Sequence, residues 1–193
     1  MKKIVLASNN KHKIKEIKKM LNNYEVLSLN DIDYHDDIEE NGRTFKANAL
    51  IKAKTIHDYL NNKGLDYMVI ADDTGLCCNA LKGRPGVYSA RYAGNHDDKA
   101  NRDKLRKALK GKNRKAYFIC CIALYYPDGV IKYFEGKTYG EIIDEERGST
   151  EFGYDAIFLS DDLGKTFGEA TEEEKNSVSH RGRAISKLVS ELK

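Results

Sequence analysis

Two carboxylates stand side by side at Asp72-Asp73, after the apolar run Tyr67 to Ala71 and before Thr74-Gly75. Adjacent acids following a buried segment are costly unless they are paired or bind a cation. Mg²⁺ takes one or two carboxylates and fills its remaining positions with water and phosphate oxygens. A carboxylate beside a metal-associated water can also accept its proton. Asp and Gly favour turns as well, so the spacing alone fits a plain turn equally.

Four further clusters carry possible chemistry. Ser8-Asn9-Asn10-Lys11-His12-Lys13 follows the apolar stretch Ile4 to Ala7 and opens a helical pattern. A strand-to-helix turn points backbone N–H groups outward, and the helix dipole favours an anion there. Lys13 can reach such an anion. The segment is neither a P-loop nor a GxGxxG turn, and an ordinary polar turn explains it as simply. Thr44, Asn48 and Lys52 recur every four residues and form one polar helix stripe, facing either a cleft or solvent. Phe152-Gly153-Tyr154-Asp155 offers two rings on which a purine can stack; core packing is the competing role. Lys175 and the run Ser179-His180-Arg181 put positive charge at a helix start, against the dipole. A bound anion would relieve that conflict.

The elements that must position these residues read as follows. Ile4 to Ala7 is a short buried strand, and Ile14, Ile17 and Leu21 mark one face of the next helix. Val26 to Leu29 is a second strand. Asp31 to Gly42 reads as an exposed acidic loop. Thr44 caps a long helix with Phe45, Ala49, Ala53, Ile56 and Leu60 on one stripe. Tyr67 to Ala71 is a strand ending at the acidic pair. In an open α/β sheet, ligands bind beyond the carboxyl ends of the strands. A polar helix covers Asp97 to Lys110. Ala116 to Tyr126 and Val130 to Tyr139 form a hairpin turning at Pro127-Asp128-Gly129. Ala156 to Leu159 is a short strand. Thr171 with Glu174 forms a capping box, and Ser179 caps a last helix buried through Ile185, Leu188, Val189 and Leu192. This order implies an α/β protein with a mixed sheet.

Composition narrows the partners. The chain has 193 residues, 33 Lys+Arg and 30 Asp+Glu, for a net charge of +3. That balance is too even for a nucleic-acid-binding stripe, and no nucleic-acid partner is expected. Cys77-Cys78 and Cys120-Cys121 are adjacent pairs, a spacing poor for disulfides or metal pincers, and core packing in a reducing compartment is expected. The first apolar stretch ends at Ala7, too short for a secretory leader. The run Ala116 to Tyr126 falls short of the roughly 20 residues that span a bilayer, so no membrane association is expected. The location expected is cytoplasmic.

Six ordered motifs together resemble the inosine/xanthosine triphosphate pyrophosphatases. These are Ser8 to Lys13, Thr44 to Ala53, Ala71-Asp72-Asp73-Thr74-Gly75-Leu76, Pro85 to Tyr92, Phe152 to Asp155 and Glu174 to Arg181. The resemblance spans essentially the whole chain, 1–193, as one nucleoside-triphosphate pyrophosphatase domain. It implies an elongated two-lobed α/β fold with a long mixed β-sheet and a central substrate cleft. It implies Mg²⁺-dependent hydrolysis of ITP, dITP or XTP to the monophosphate and pyrophosphate, and a homodimer. Asp73 would be catalytic and, with Asp72, would hold the metal. Ser8, Asn9, Asn10, Lys13, Lys52, Thr74 and Lys175 would bind the phosphates. Phe152, Gly153, Tyr154, Asp155, His180 and Arg181 would bind the base.

Two positions depart from the family's pattern. Asn9 stands where a glycine is usual, and Ala47 stands where a glutamate helps to hold the metal. The second departure allows an alternative, a purine-nucleotide-binding protein with impaired turnover.

Overall fold

A computed structural model describes residues 1–193. Six strands form one sheet in the order β2-β1-β3-β4-β5-β6. They are β1 (Lys2–Leu6), β2 (Tyr24–Leu27), β3 (Met68–Cys78), β4 (Lys115–Tyr125), β5 (Ile131–Ile142) and β6 (Phe158–Ser160). β1 runs parallel to β2 and β3, whereas β5 and β6 are antiparallel. The sheet is therefore mixed, and five helices accompany it: α1 (Lys11–Met20), α2 (Phe45–Asn62), α3 (Asp98–Ala108), α4 (Glu172–Val178) and α5 (His180–Leu192). The α/β class expected from the alternation of patterns is the class found. No helix is long and apolar enough to cross a membrane.

The chain forms two compact units. The first comprises Met1–Asp73, Cys121–Glu135 and Ala184–Lys193; the second comprises Thr74–Cys120 and Gly136–Arg183. In the first, Val5 of β1, Ala7 just past its end, and Val69 and Ala71 of β3 pack on the Ala49, Ala53, Ile56 and Leu60 stripe of α2. The alternate residues Ile4, Leu6 and Ile70 are also buried, so both faces of these strands are covered. In the second unit, Phe118 lies 4.5 Å from Phe158 and 6.0 Å from Phe167, centroid to centroid. Leu76, Leu105, Leu109 and Ile157 complete that core.

Local signals set the helix ends. Asn10 caps α1, Thr44 caps α2, and Asp97 caps α3. Thr171 and Glu174 form the expected capping box of α4. The Ser179 hydroxyl accepts from the Gly182 N–H at 3.0 Å in the first turn of α5.

Two expectations are corrected. β3 does not stop at Ala71; it continues through Asp72-Asp73-Thr74-Gly75 to Cys78. Leu76 and Cys78 are fully buried, and their burial extends the strand past the polar interruption. The stretch Asp31 to Gly42 is not wholly exposed. Ile32 and Tyr34 are buried, and the Tyr59 hydroxyl lies 2.8 Å from the Asp33 carbonyl.

Candidate active site

β1 ends at Leu6, paired with Ile70, and the Ala7 N–H reaches the Ile70 carbonyl at 2.9 Å. β3 alone then runs on into Asp72 and Asp73. The acidic pair thus lies beyond the carboxyl end of β1, as the sheet rule requires, but within β3 itself.

Alternation along β3 sends the two acids to different partners. Asp72 has the parity of Ile70, is buried, and accepts from Lys13 Nζ of α1 at 2.9 Å. Asp73 has the parity of Val69 and Ala71, and accepts from Asn48 Nδ2 of α2 at 3.0 Å. Asn48 itself is buried, and its Oδ1 accepts from the Gly42 N–H at 2.8 Å. Lys52 Nζ donates to the Asp72 carbonyl and pairs with Glu40 at 2.8 Å. The polar stripe on α2 is therefore split: Thr44 is exposed and caps the helix, whereas Asn48 and Lys52 turn inward and hold the acidic segment.

Charge is concentrated here. Burial pushes the Asp73 carboxyl up to about 6, against the Asn48 hydrogen bond and the Lys52 charge; Glu40 and Asp72 add to the rise. Burial works to lower Lys52, but the charges of Asp72 and Glu40 outweigh it and hold the ammonium above its usual range. Ser8, Asn9, Lys13 and Lys52 line one cavity of about 300 Å³ with Asp36, Asp37 and Glu40. The three acids come from the segment read as an exposed loop. Its run of carboxylates was the available signal, and nothing in spacing alone tied it to Lys52.

The turn at Ser8 to Lys13 differs from its expected form. Asn10 Oδ1 accepts from the His12 and Lys13 N–H groups at 3.0 and 3.2 Å, and Ser8 Oγ accepts from the Asn10 N–H at 3.1 Å. Those three amides are committed to the turn itself; the side chains of Asn9 and Asn10 are exposed, and the Lys13 ammonium, which donates to Asp72, has further protons to offer. Asn9 does not need the conformation of the glycine it replaces. Asp33, Lys82 and His96 are the non-glycine residues with positive φ.

No group of three or more His, Cys, Asp and Glu side chains forms a metal cage. Mg²⁺ does not require one, because phosphate oxygens and water complete its shell. Burial leads the rise of Asp73, with the charges of Glu40 and Asp72 adding to it, and a cation beside Asp73 would offset both. Asp73 and Glu40, hard oxygen donors, fit such an ion.

The second unit holds the remaining residues. Phe152 is 40% exposed, whereas Tyr154 is buried with its hydroxyl donating to the Ser89 carbonyl at 2.6 Å. Burial raises the Tyr154 phenol well above its usual range. Of the two rings, Phe152 is the one presented outward. Gly153 between them takes φ +45°, a conformation that a side chain would strain. Lys175 Nζ lies 2.5 Å from Asp155 and 5.2 Å from the Phe152 ring centroid. His180 is buried and stacks on Phe118 at 4.9 Å. Arg181 begins α5 beside it, partly exposed.

Arg102 has no counterpart in the sequence reading. It is buried, and its guanidinium donates to Glu146 at 2.9 Å and to the Gly153 carbonyl at 2.8 Å, fixing the loop that carries Phe152. It lies on α3, in a stretch whose sequence reads only as a polar helix.

The fold and this site define an α/β protein whose mixed sheet carries an acidic pair and a lysine-lined cavity past the end of β1. A model of the Ham1 family matches residues 4–191, and the chain belongs to that family. It is 48% identical to a dITP/XTP pyrophosphatase of Clostridium perfringens, covering 100% of this chain and 98% of that one. It is 45% identical to a dITP/XTP pyrophosphatase of Bacillus subtilis, covering 97% and 96%. The solved structure of the Staphylococcus aureus Ham1 protein superposes with a TM-score of 0.90 at 42% identity, covering 99% of this chain and 98% of that one.

Proposed function

We propose that the chain, as one functional domain over residues 1–193, hydrolyses non-standard purine nucleoside triphosphates (dITP, ITP, XTP) to the monophosphate and pyrophosphate. The relatives' names support the reaction, and the observation that carries it here is Asp73. Its carboxyl is held by Asn48 and raised to about 6, close to the operating pH that suits a general base.

Asp73 takes a proton from the attacking water as oxygen bonds to the α-phosphorus. The bond from that phosphorus to the bridging oxygen breaks, and pyrophosphate leaves with the bond's electron pair. Lys13 and Lys52 place positive charge where the phosphates lie. Asp72, committed to Lys13, positions that lysine. Ser8, Asn9, Asn10 and Thr74 supply polar contacts to the triphosphate. Asp73 and Glu40 would hold Mg²⁺, with Asp72 contributing charge behind them. The ion, when bound, neutralises phosphate charge and acidifies associated water. Glu40 leaves two carboxylates in place despite Ala47, which supports turnover over binding alone.

In the second unit, Phe152 stacks on the purine, and Gly153 and Tyr154 shape its loop. Asp155 with Lys175, and His180 with Arg181, recognise the base and adjoining phosphate. Donors matched to a 6-oxo group disfavour adenine, whose 6-amino group leaves them unpaired. Four reduced, buried cysteines suit a cytoplasmic location. The homodimer rests on the family resemblance, and sedimentation tests it.

The deciding assay measures pyrophosphate release from ITP, dITP, XTP, GTP and ATP, with and without Mg²⁺. Release from the first three that requires Mg²⁺ is expected. No release from any of them at any Mg²⁺ level would remove the assignment.

A further inference from the structure

Arg84, Arg91 and Lys104 line a separate cavity of about 330 Å³ in the second unit, with Pro85, Tyr88 and Tyr92. It shares no lining residue with the cavity around Lys13, and no acidic side chain lines it. Five other arginines of this unit have their charge matched. Arg102, Arg106, Arg114, Arg147 and Arg183 each reach a carboxylate. The cavity's cations have only neutral partners. Arg84 Nε donates to the Leu81 carbonyl at 3.1 Å. The Arg91 guanidinium lies 5.2 Å from the Tyr88 ring centroid. Lys104 donates to the Tyr92 carbonyl at 2.7 Å and lies 4.3 Å from its ring centroid.

Three cations lining one cavity that has no acidic side chain suit an anion. Two are arginines, whose planar forks match phosphate oxygens in pairs. The volume is near the lower bound of roughly 300 Å³ for ligand pockets, and the cations and tyrosine rings that line it suit a small anion. We propose that this cavity is a second phosphate-anion site that takes a small polyphosphate of the pyrophosphate class. Arg84, Arg91 and Lys104 bind its oxygens, and Tyr88 and Tyr92 form its walls. The assignment does not depend on the reaction given to Asp73.

The test titrates inorganic pyrophosphate into the full chain in EDTA, following the ring NMR signals of Tyr88 and Tyr92, assigned with Tyr88→Phe and Tyr92→Phe. Both signals should shift and saturate, with binding weakened by added salt. The double variant Arg84→Gln/Arg91→Gln should weaken that binding at least about tenfold while hydrolysis stays within about twofold. Should the double variant fail to fold, Arg91→Gln alone gives the same reading. Static Tyr88 and Tyr92 signals in millimolar pyrophosphate would overturn the site, as would equal shifts in the variant. Signals that move on dilution without pyrophosphate would assign this face to a second copy of the chain and would also overturn it.

Discussion

Asp72 and Asp73 are adjacent on β3 yet belong to different helices: Asp72 binds Lys13 of α1, and Asp73 binds Asn48 of α2. The two carboxylates therefore do different work. Asp72 is buried and neutralised by an ion pair. Asp73 is held by a neutral amide and remains the acid whose proton affinity is raised toward neutrality.

Asp73→Asn should lower turnover by about 10²-fold or more, the scale of a lost general base. The same change should stabilise the metal-free protein. A carboxyl raised from 3.8 to about 6 binds its proton more tightly folded than unfolded. Its stabilising effect is full below pH 3.8 and is lost as pH rises through about 6. Chemical denaturation in EDTA should show Asp73→Asn about 1–2 kcal/mol more stable than the parent at pH 7.5, a value discounted for partial exposure. The difference should vanish near pH 4. Equal stability at both pH values would mean that Asp73 titrates normally.

Lys13→Met should cost about 2–4 kcal/mol, because it strands the buried Asp72 carboxylate. Thermal unfolding should fall by roughly 4–16 °C for a chain of this size. Adding Asp72→Asn to Lys13→Met should recover part of that loss. If the two changes are additive, the ion pair is not coupled.

Position 47 separates two roles of a glutamate. Ala47 is the third residue of α2, and its N–H donates to the capping Thr44 hydroxyl at 3.0 Å. Ala47→Glu completes a capping box and adds negative charge at a helix N-terminus, worth about 0.5–1 kcal/mol. Ala47→Gln supplies the box without the charge. Both should raise thermal stability, but only the glutamate should lower the Mg²⁺ concentration for half-maximal activity. Identical Mg²⁺ curves for the two variants would exclude a metal-holding role there.

Phe152→Ala should raise KM about 5- to 100-fold, the loss of about 1–3 kcal/mol of base stacking, with little change in stability because the ring is exposed. Tyr154→Phe should do the reverse. It strands the buried Ser89 carbonyl and costs about 1–2 kcal/mol, with KM nearly unchanged. Exchanged outcomes would reverse the roles of the two rings.

Arg102→Met should loosen the loop through the freed Gly153 carbonyl, raising KM about tenfold more than it lowers kcat. Arg102→Lys, which keeps the charge but not the fork, should recover only part of the loss. A fall in kcat with KM constant would place Arg102 outside base binding.

Local chemistry was legible in the sequence because it depends on near neighbours. The caps at Thr44 and Thr171, the buried stripe of α2, and the hairpin turning at Gly129 follow from residue type and spacing alone. Long-range packing decided the rest. β3 outlives its acidic interruption because Leu76 and Cys78 are buried far along it. Tyr154 turns inward and Phe152 outward because the Ser89 carbonyl meets only one of the two rings, and no spacing distinguishes them. Glu40 falls in a stretch that reads as an exposed loop and Arg102 in one that reads as a polar helix; only the fold sets Lys52 and the Gly153 carbonyl beside them. A side chain's type sets what it can bind; which partner reaches it across tens of residues is set only when the chain has folded.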